Sequence, residues 1–371
     1  MVRRKGRRGL QGSRARRDIQ KIMLSENQIR EIRETIEKSD NPLYFFDDDI
    51  DGLCSFILLY QKYQKGKGVL IKSTPTLDVE YLRKVEEYNP DLIIVLDKPM
   101  ISQEFIDKVQ APILWIDHHT PVEREGIKQY INPRLKEPDI YLPTSSIAYE
   151  IVGGNMWIAF IGTVGDYALP AFTEEFRKKY PDLIGKEKDI GRIAYETPIK
   201  KLIRTYNFVL KGKTSEVKKC IYIMTRIEDP YELLNGETAR AKYVIKRAQK
   251  VGKEYDELLA EAEEQKGKDD FLVFTYPSKK LSLTALLCNE LSYKHPEKII
   301  IVGREKEGEI RMGLRAKKKR IDEALKKALV GVRGYGGGHE FACGGNVAKE
   351  DFPKFIEQLG KAIQEQPLHQ R

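Results

Sequence analysis

Four aspartates close the first apolar run of the chain: Leu43-Tyr44-Phe45-Phe46 passes directly into Asp47-Asp48-Asp49-Ile50-Asp51-Gly52. Similar endings recur. Leu92–Leu96 stops on Asp97, and Ile113–Ile116 stops on Asp117-His118-His119. A further strand-like run at 157–161 leads through Gly162-Thr163-Val164-Gly165 to Asp166. Carboxylates repel one another, so gathering several in one place is costly unless cations offset them. In an open parallel sheet the strand C-termini share one edge, where ligands bind. Asp and His at such an edge are ligands for hard or borderline divalent ions, and a pair of such ions can drive phosphoryl chemistry. The pattern is that expected of a two-metal phosphoesterase.

Each motif has a plainer reading beside it. In an extended loop alternate side chains share a face, so Asp47 and Asp49 can address one cation cluster, and Gly52 permits a tight exit into a helix. The plainer reading is a calcium-type loop or an acidic turn. An EF-hand is excluded, because no Glu sits at the required distance and the flanks read as strand and helix. Two adjacent imidazoles at a strand end can bind metal and orient a water or substrate oxygen; the alternative is a capping pair on a surface loop. With five His in 371 residues, such a pair is informative. Further on, Gly334-Tyr335-Gly336-Gly337-Gly338-His339 precedes Gly344-Gly345. Dense glycine lets backbone N–H groups approach an oxyanion, with His339 as an added donor and Arg315 able to fork onto phosphate. The alternative there is a flexible turn, and no GxGxxG or Walker pattern follows.

The elements that must position these residues read as alternating strands and helices. A helix is expected over 25–39, then a strand at 43–46 and a helix over 55–65. A crossover at 79–88 leads to the strand at 92–96, and a helix at 103–110 leads to the strand at 113–116. Such alternation predicts a parallel sheet with right-handed crossovers. Residues 145–161 also carry helical spacing on both sides of Gly153-Gly154, and 171–235 read as mostly helical, with breaks at Pro181, Pro198 and Pro230. A long charged helix over 237–266 is expected to connect to a second module, with the boundary at 267–270. That module reads as strand 271–276, helix 281–294, strands 298–302 and 309–316, and helices 321–329 and 352–363. The predicted division is a basic arm and short helix at 1–40, a catalytic α/β domain at 41–235, a connecting helix at 236–268 and a smaller α/β domain at 269–365.

Composition narrows the class. No stretch of about 18 apolar residues exists, so no membrane span is expected, and no apolar segment near the start suggests a signal peptide. Four cysteines without CxxC spacing suit a reducing, cytoplasmic setting and argue against zinc. The net charge of +9 is concentrated at the N-terminus. Residues 1–17 hold Arg3, Arg4, Lys5, Arg7, Arg8, Arg14, Arg16 and Arg17 and no acid; without these eight, 57 basic residues face 56 acidic ones. Such an arm suits nucleic-acid phosphates, a solubilising tail being the alternative.

Taken together, the motifs resemble the DHH phosphoesterase superfamily, and its RecJ-like branch in particular, over about residues 41–365. The acidic loop Asp47-x-Asp49-x-Asp51-Gly52, Asp97, Asp117-His118-His119 and Asp166 match the four N-terminal motifs in order, and Gly336-Gly337-Gly338-His339 matches the GGGH signature of the associated C-terminal domain. Relatives whose first motif begins with His have no counterpart here, because that position is Leu43. This points away from the pyrophosphatase-like and small-nucleotide branches. The resemblance implies a doubly wound N-terminal domain and a C-terminal domain that closes over the cleft. It implies two divalent ions, manganese in the first instance and magnesium or cobalt otherwise, held by Asp47, Asp49, Asp97, His118 and Asp166, with Asp97 as the bridge. His119 would bind metal or position the nucleophile beside Asp117, and Asp51 would orient the loop. Arg315, Gly336, Gly337, Gly338 and His339 would grip phosphate. The implied activity is exonucleolytic, on single-stranded DNA or RNA. Hydrolysis of very short oligonucleotides, pAp or cyclic dinucleotides is the enzymatic alternative, and a replisome scaffold the non-enzymatic one. A GINS complex would be a partner by family style.

The arm yields a test. Deleting residues 1–17 is expected to weaken binding to long single strands and to flatten its salt dependence, because about eight charges no longer displace counterions. Hydrolysis of di- or trinucleotides should be nearly unchanged, as initial rates on short and long substrates would reveal.

Overall fold

The computed structural model describes residues 24–72, 75–265 and 270–365. The basic arm, all of the expected boundary but Asp270, and the tail from Gln366 lie outside them. The described residues fall into two units, one built from 24–210 and 220–242, the other from 211–219 and 243–365. Among them no helix is long and apolar enough to cross a membrane.

The first unit is organised by a five-stranded sheet. Its strands are β1 (Pro42–Asp47), β2 (Lys67–Ile71), β4 (Leu92–Leu96), β6 (Ile113–Ile116) and β7 (Gln129–Ile131), in the order β2-β1-β4-β6-β7. All of its pairings are parallel, as expected. A small separate pair joins β3 (Thr76–Leu77) to β5 (Met100–Ile101). The central strands β4 and β6 are buried along their whole length, which is why they read as unbroken apolar runs. One face, with Leu43, Phe45, Ile93, Val95 and Trp115, packs on Phe105 and Ile106 of the helix Gln103–Lys108. The other carries Tyr44 and Phe46 against Phe56 of the helix Ile50–Tyr63, with the Phe46 ring stacked at 4.6 Å. The edge strands β2 and β7 were not expected. Both are short and partly exposed, so neither carries a long apolar run.

The run at 157–161 is not a strand but helical, in line with the helical spacing read over 145–161. It lies within the helix Met156–Gly165, buried nearly all round. A helix without a polar face is indistinguishable from a buried strand by composition. Two glycines explain how it fits: a Cβ at Gly162 would stand 2.6 Å from Ser145 Oγ, and one at Gly165 would stand 2.3 Å from Ile50 Cγ2. Glycine therefore lets this helix lie close against the helices Thr144–Val152 and Ile50–Tyr63.

The second unit carries a mixed sheet: β8 (Phe271–Tyr276), β9 (Ile299–Lys306), β10 (Glu309–Arg315), β11 (Gly334–His339) and β12 (Ala342–Ala348), in the order β11-β12-β10-β9-β8. The pair β8–β9 is parallel and the rest antiparallel. Ile310, Met312 and Leu314 face a core with Leu325, Phe355 and Leu359, from the helices Asp322–Ala328 and Phe352–Gln364. The opposite face meets the helix Thr284–Lys294, whose Cys288 Sγ would stand 3.1 Å from a Cβ at Gly313.

Candidate metal centre

Strand register assembles the site. Phe46 pairs with Leu96, Leu96 with Ile116, and Ile116 with Ile131. The next residue of each strand is therefore Asp47, Asp97, Asp117 and Asn132, in one row along the C-terminal edge. Asp97 turns the chain there with φ +58°, a left-handed conformation unusual outside glycine. His118 and His119 follow Asp117, and Asp166 arrives separately, as the C-cap of the helix Met156–Gly165.

The acids of the first loop take different roles. Asp49 caps the helix Ile50–Tyr63, accepting from Gly52 N–H at 2.9 Å. Gly52 itself abuts the strand end, since a Cβ there would stand 2.7 Å from Asp47 N. Asp51 is fully buried and accepts from the N–H groups of Thr144 (2.7 Å) and Ser145 (2.9 Å) and from the Ser145 hydroxyl. Those N–H groups open the helix Thr144–Val152, so the helix N-terminus meets the carboxylate's charge. Burial, followed by the nearby Asp49 charge, pushes Asp51 up to about 7 even so.

Asp97 is almost fully buried. Its Oδ1 accepts from Thr144 Oγ1 at 3.2 Å and lies 3.3 Å from His118 Nε2, which is 3.6 Å from Asp166 Oδ2. Its Oδ2 is buried with no hydrogen-bond partner. Burial, with Asp49, Asp51, Asp47 and Asp166 around it, holds Asp97 well above the usual carboxylate range. The Tyr141 hydroxyl donates to Asp166 Oδ2 at 2.6 Å. Asp117, fully buried, accepts from His119 N–H at 3.0 Å and holds His119 Nδ1 at 2.7 Å, while Asn132 Nδ2 ties it at 3.3 Å and the His119 carbonyl at 2.9 Å. Burial opposes protonation of His119, but the Asp117 contact outweighs it and raises the imidazole above its ordinary value.

Three sets of donor atoms lie within 4.8 Å of one another: Asp97 with His118 and His119, Asp51 with His118 and Asp166, and Asp47 with Asp49 and Asp97. Carboxylate oxygens with imidazole nitrogens suit a hard or borderline divalent cation. The partnerless Asp97 Oδ2 and the mutual repulsion of the acids both call for positive charge at that spot. The residues fit such an ion.

Sequence reasoning overlooked four residues here. Lys98 is fully buried with its Nζ 2.7 Å from Asp47 Oδ1. Thr144 and Asn132 support the acids from other elements, and Tyr141 orients Asp166. Lys98 directly follows a strand-end acid, but a lysine after a strand is ordinarily solvated, and only burial distinguishes this one.

In the second unit the glycine-rich segment is not the flexible turn of the alternative reading but the edge strand β11, exposed throughout. Its glycines admit close backbone pairing with β12: a Cβ at Gly338 would stand 2.4 Å from Ala342 O, and one at Gly336 would stand 2.9 Å from Gly344 O. The register does bring two expected residues together, because Ala342 pairs with Arg315 on one side and His339 on the other. Arg315 is held from behind: Nε donates to Asn289 Oδ1 at 2.7 Å, and Nη1 to the carbonyls of Leu314 (2.9 Å) and Cys343 (3.3 Å).

Residues 43–172 match the N-terminal domain of the DHH family, and residues 278–365 match the DHHA1 domain. The chain belongs to the DHH superfamily. Its fold is RecJ-like. It resembles RecJ from Thermus thermophilus in complex with Mn2+, with a TM-score of 0.67 and 14% identity over 92% of this chain, and spans 55% of that protein's length. It also resembles an exonuclease RecJ bound to manganese (TM-score 0.63, 14% identity, 93% of this chain and 96% of that one). A third likeness is the DHH domain of a member of the s1p family of ribosomal proteins (TM-score 0.63, 13% identity, 95% and 92%). No curated protein matches the chain's sequence.

The two kinds of acid can be told apart by stability. Asp51→Ala strands two backbone N–H groups and a hydroxyl in the core and is expected to cost about 2–5 kcal/mol. Asp49→Ala loses one partly buried cap while relieving repulsion and should cost about 1 kcal/mol or less. Urea unfolding of both variants without metal checks the order.

Proposed function

We propose that the chain is a metal-dependent phosphodiesterase of the RecJ kind, removing nucleotides from an end of single-stranded DNA or RNA. The observation that carries this reading is the convergence of Asp47, Asp49, Asp97, His118 and Asp166 in overlapping donor sets, with one Asp97 oxygen buried and without a hydrogen-bond partner. Asp97 belongs to donor sets on both sides of the site, which suits a bridging ligand. Two divalent ions, manganese in the first instance, would supply a nucleophile at neutral pH and stabilise charge developing on the phosphate. The protein's part is to hold that geometry: Tyr141 fixes Asp166, and the helix N-terminus fixes the acidic loop through Asp51. With Nδ1 bound to Asp117, His119 offers its Nε2 for placing or moving a proton at the reacting oxygen. Arg315 and His339, side by side across Ala342, would grip a neighbouring phosphate, with Asn289 aiming the guanidinium. The full set of acids favours an enzyme over a scaffold.

A time course with manganese on end-labelled single-stranded DNA and RNA of several lengths tests the reading. Successive shortening from one end is expected; no cleavage, or scattered internal cuts, would overturn it. Asp49→Ala and His118→Ala should each abolish hydrolysis, and a retained circular dichroism spectrum would assign the loss to the site rather than to the fold.

The phosphate grip makes a separate prediction. Arg315→Ala or His339→Ala should lower kcat/KM by about ten- to a hundredfold, the usual effect of losing one charge-assisted hydrogen bond worth about 1.5–3 kcal/mol. Bound metal should stay unchanged in both variants. Steady-state kinetics beside a metal assay separates a grip on substrate from a contribution to the metal centre.

A further inference from the structure

A lysine occupies part of the acidic pocket. Lys98 follows Asp97 at the end of β4 and is fully buried, with its Nζ 2.7 Å from Asp47 Oδ1. Its backbone is set by the sheet: the Lys98 carbonyl accepts from Trp115 Nε1 at 2.9 Å, and the Trp115 ring is stacked on Tyr130 at 4.2 Å. Burying an ammonium costs several kcal/mol unless a charge answers it. An apolar side chain of similar length would fill the same space without that cost. The buried ammonium therefore makes electrostatic sense as an answer to the surrounding acids.

The two sides of the site are consequently unequal. Asp47, Asp49 and Asp97 form the donor set that includes the partner of Lys98, whereas the other two sets converge on His118, with His119 or Asp166 beside it. Asp47, Asp49, Asp97 and Asp166 bring four negative charges when ionised; Lys98 offsets one and a single divalent ion two. We propose that Lys98 stands in for part of the second cation, so that the free protein binds one divalent ion tightly, on the side of His118 and Asp166, and a second weakly, on the side of Asp47 and Asp49. A divalent ion sharing a carboxylate with a fixed ammonium about 4–5 Å away loses on the order of ten- to a hundredfold in affinity even in a water-like dielectric, and more where solvent is excluded. Occupancy of the weak side then depends on a phosphate, whose negative charge offsets the repulsion. This inference rests on the metal-dependent reading above, but concerns how unequally the ions are held.

Equilibrium dialysis of the full chain against manganese, without substrate and with bound metal measured by elemental analysis, tests it. One tight ion and a second bound at least about tenfold more weakly are expected. Lys98→Met should tighten the second ion by about tenfold or more. Asp49→Asn should keep the tight ion and His118→Ala should lose it; these two variants and the wild type decide the matter even if Lys98→Met fails to fold. Two ions of equal affinity in the wild type, an unchanged second ion in a folded Lys98→Met, or loss of the tight ion in Asp49→Asn would each overturn the proposal while leaving the phosphodiesterase reading in place. Absence of any manganese binding would overturn both.

Discussion

Mutual repulsion among carboxylates held at one sheet edge is the constraint around which the first unit is arranged. The parallel register leaves Asp47, Asp97 and Asp117 no freedom to separate, because moving one would shift a buried strand. Each acid has an answer nearby. The N-terminus of the helix Thr144–Val152 faces Asp51, Lys98 faces Asp47, the Tyr141 hydroxyl faces Asp166, and His119 with Asn132 surrounds Asp117. Asp97 Oδ2 is buried without a hydrogen-bond partner, and Asp97 is the residue shared by donor sets on the two sides of the site. A cation at that point relieves what the fold creates.

This arrangement separates acids that look alike. Asp47, Asp49 and Asp51 alternate in sequence, yet Asp47 ends β1, Asp49 caps the helix Ile50–Tyr63, and Asp51, in the first turn of that helix, points inward to the N-terminus of the helix Thr144–Val152. A structural acid of this kind makes the ligand geometry rigid, which matters because a site must be held closely to favour one charge distribution over another. The same logic applies to Asp117, whose hydrogen bonds set the orientation of the neighbouring imidazole.

In the second unit, glycine acts on backbone spacing. At Gly334, Gly336 and Gly338 of β11 a side chain would collide with the partner strand, so glycine at these positions lets β12 approach. The consequence is an exposed edge of backbone ending at His339, in the same row as Arg315. The signature residues thus serve the sheet first, and any role toward phosphate is built on that placement.

Much of this was legible in the sequence because buried parallel strands are short and apolar throughout, and their ends are marked by the acids that follow. The runs at 92–96 and 113–116 announced themselves in this way, while the strand at 271–276 was legible as a short apolar run and the helix Ala239–Glu264 by its helical spacing. The helix Met156–Gly165 gave two readings, helical spacing across 145–161 and a strand-like apolar run at 157–161, since a helix buried on every side has no polar face to separate them, and the edge strands β2 and β7 were too short to register. Nor could local sequence reveal that Lys98 is buried against Asp47, that Thr144 reaches Asp97, or that Tyr141 holds Asp166. The sequence by itself determined which residue types gather at the strand ends, since that follows from neighbours along the chain. Which acids face the pocket, which are consumed in holding it, and where a positive charge is built in were decided by tertiary structure, because those pairings join residues 25 to 94 positions apart.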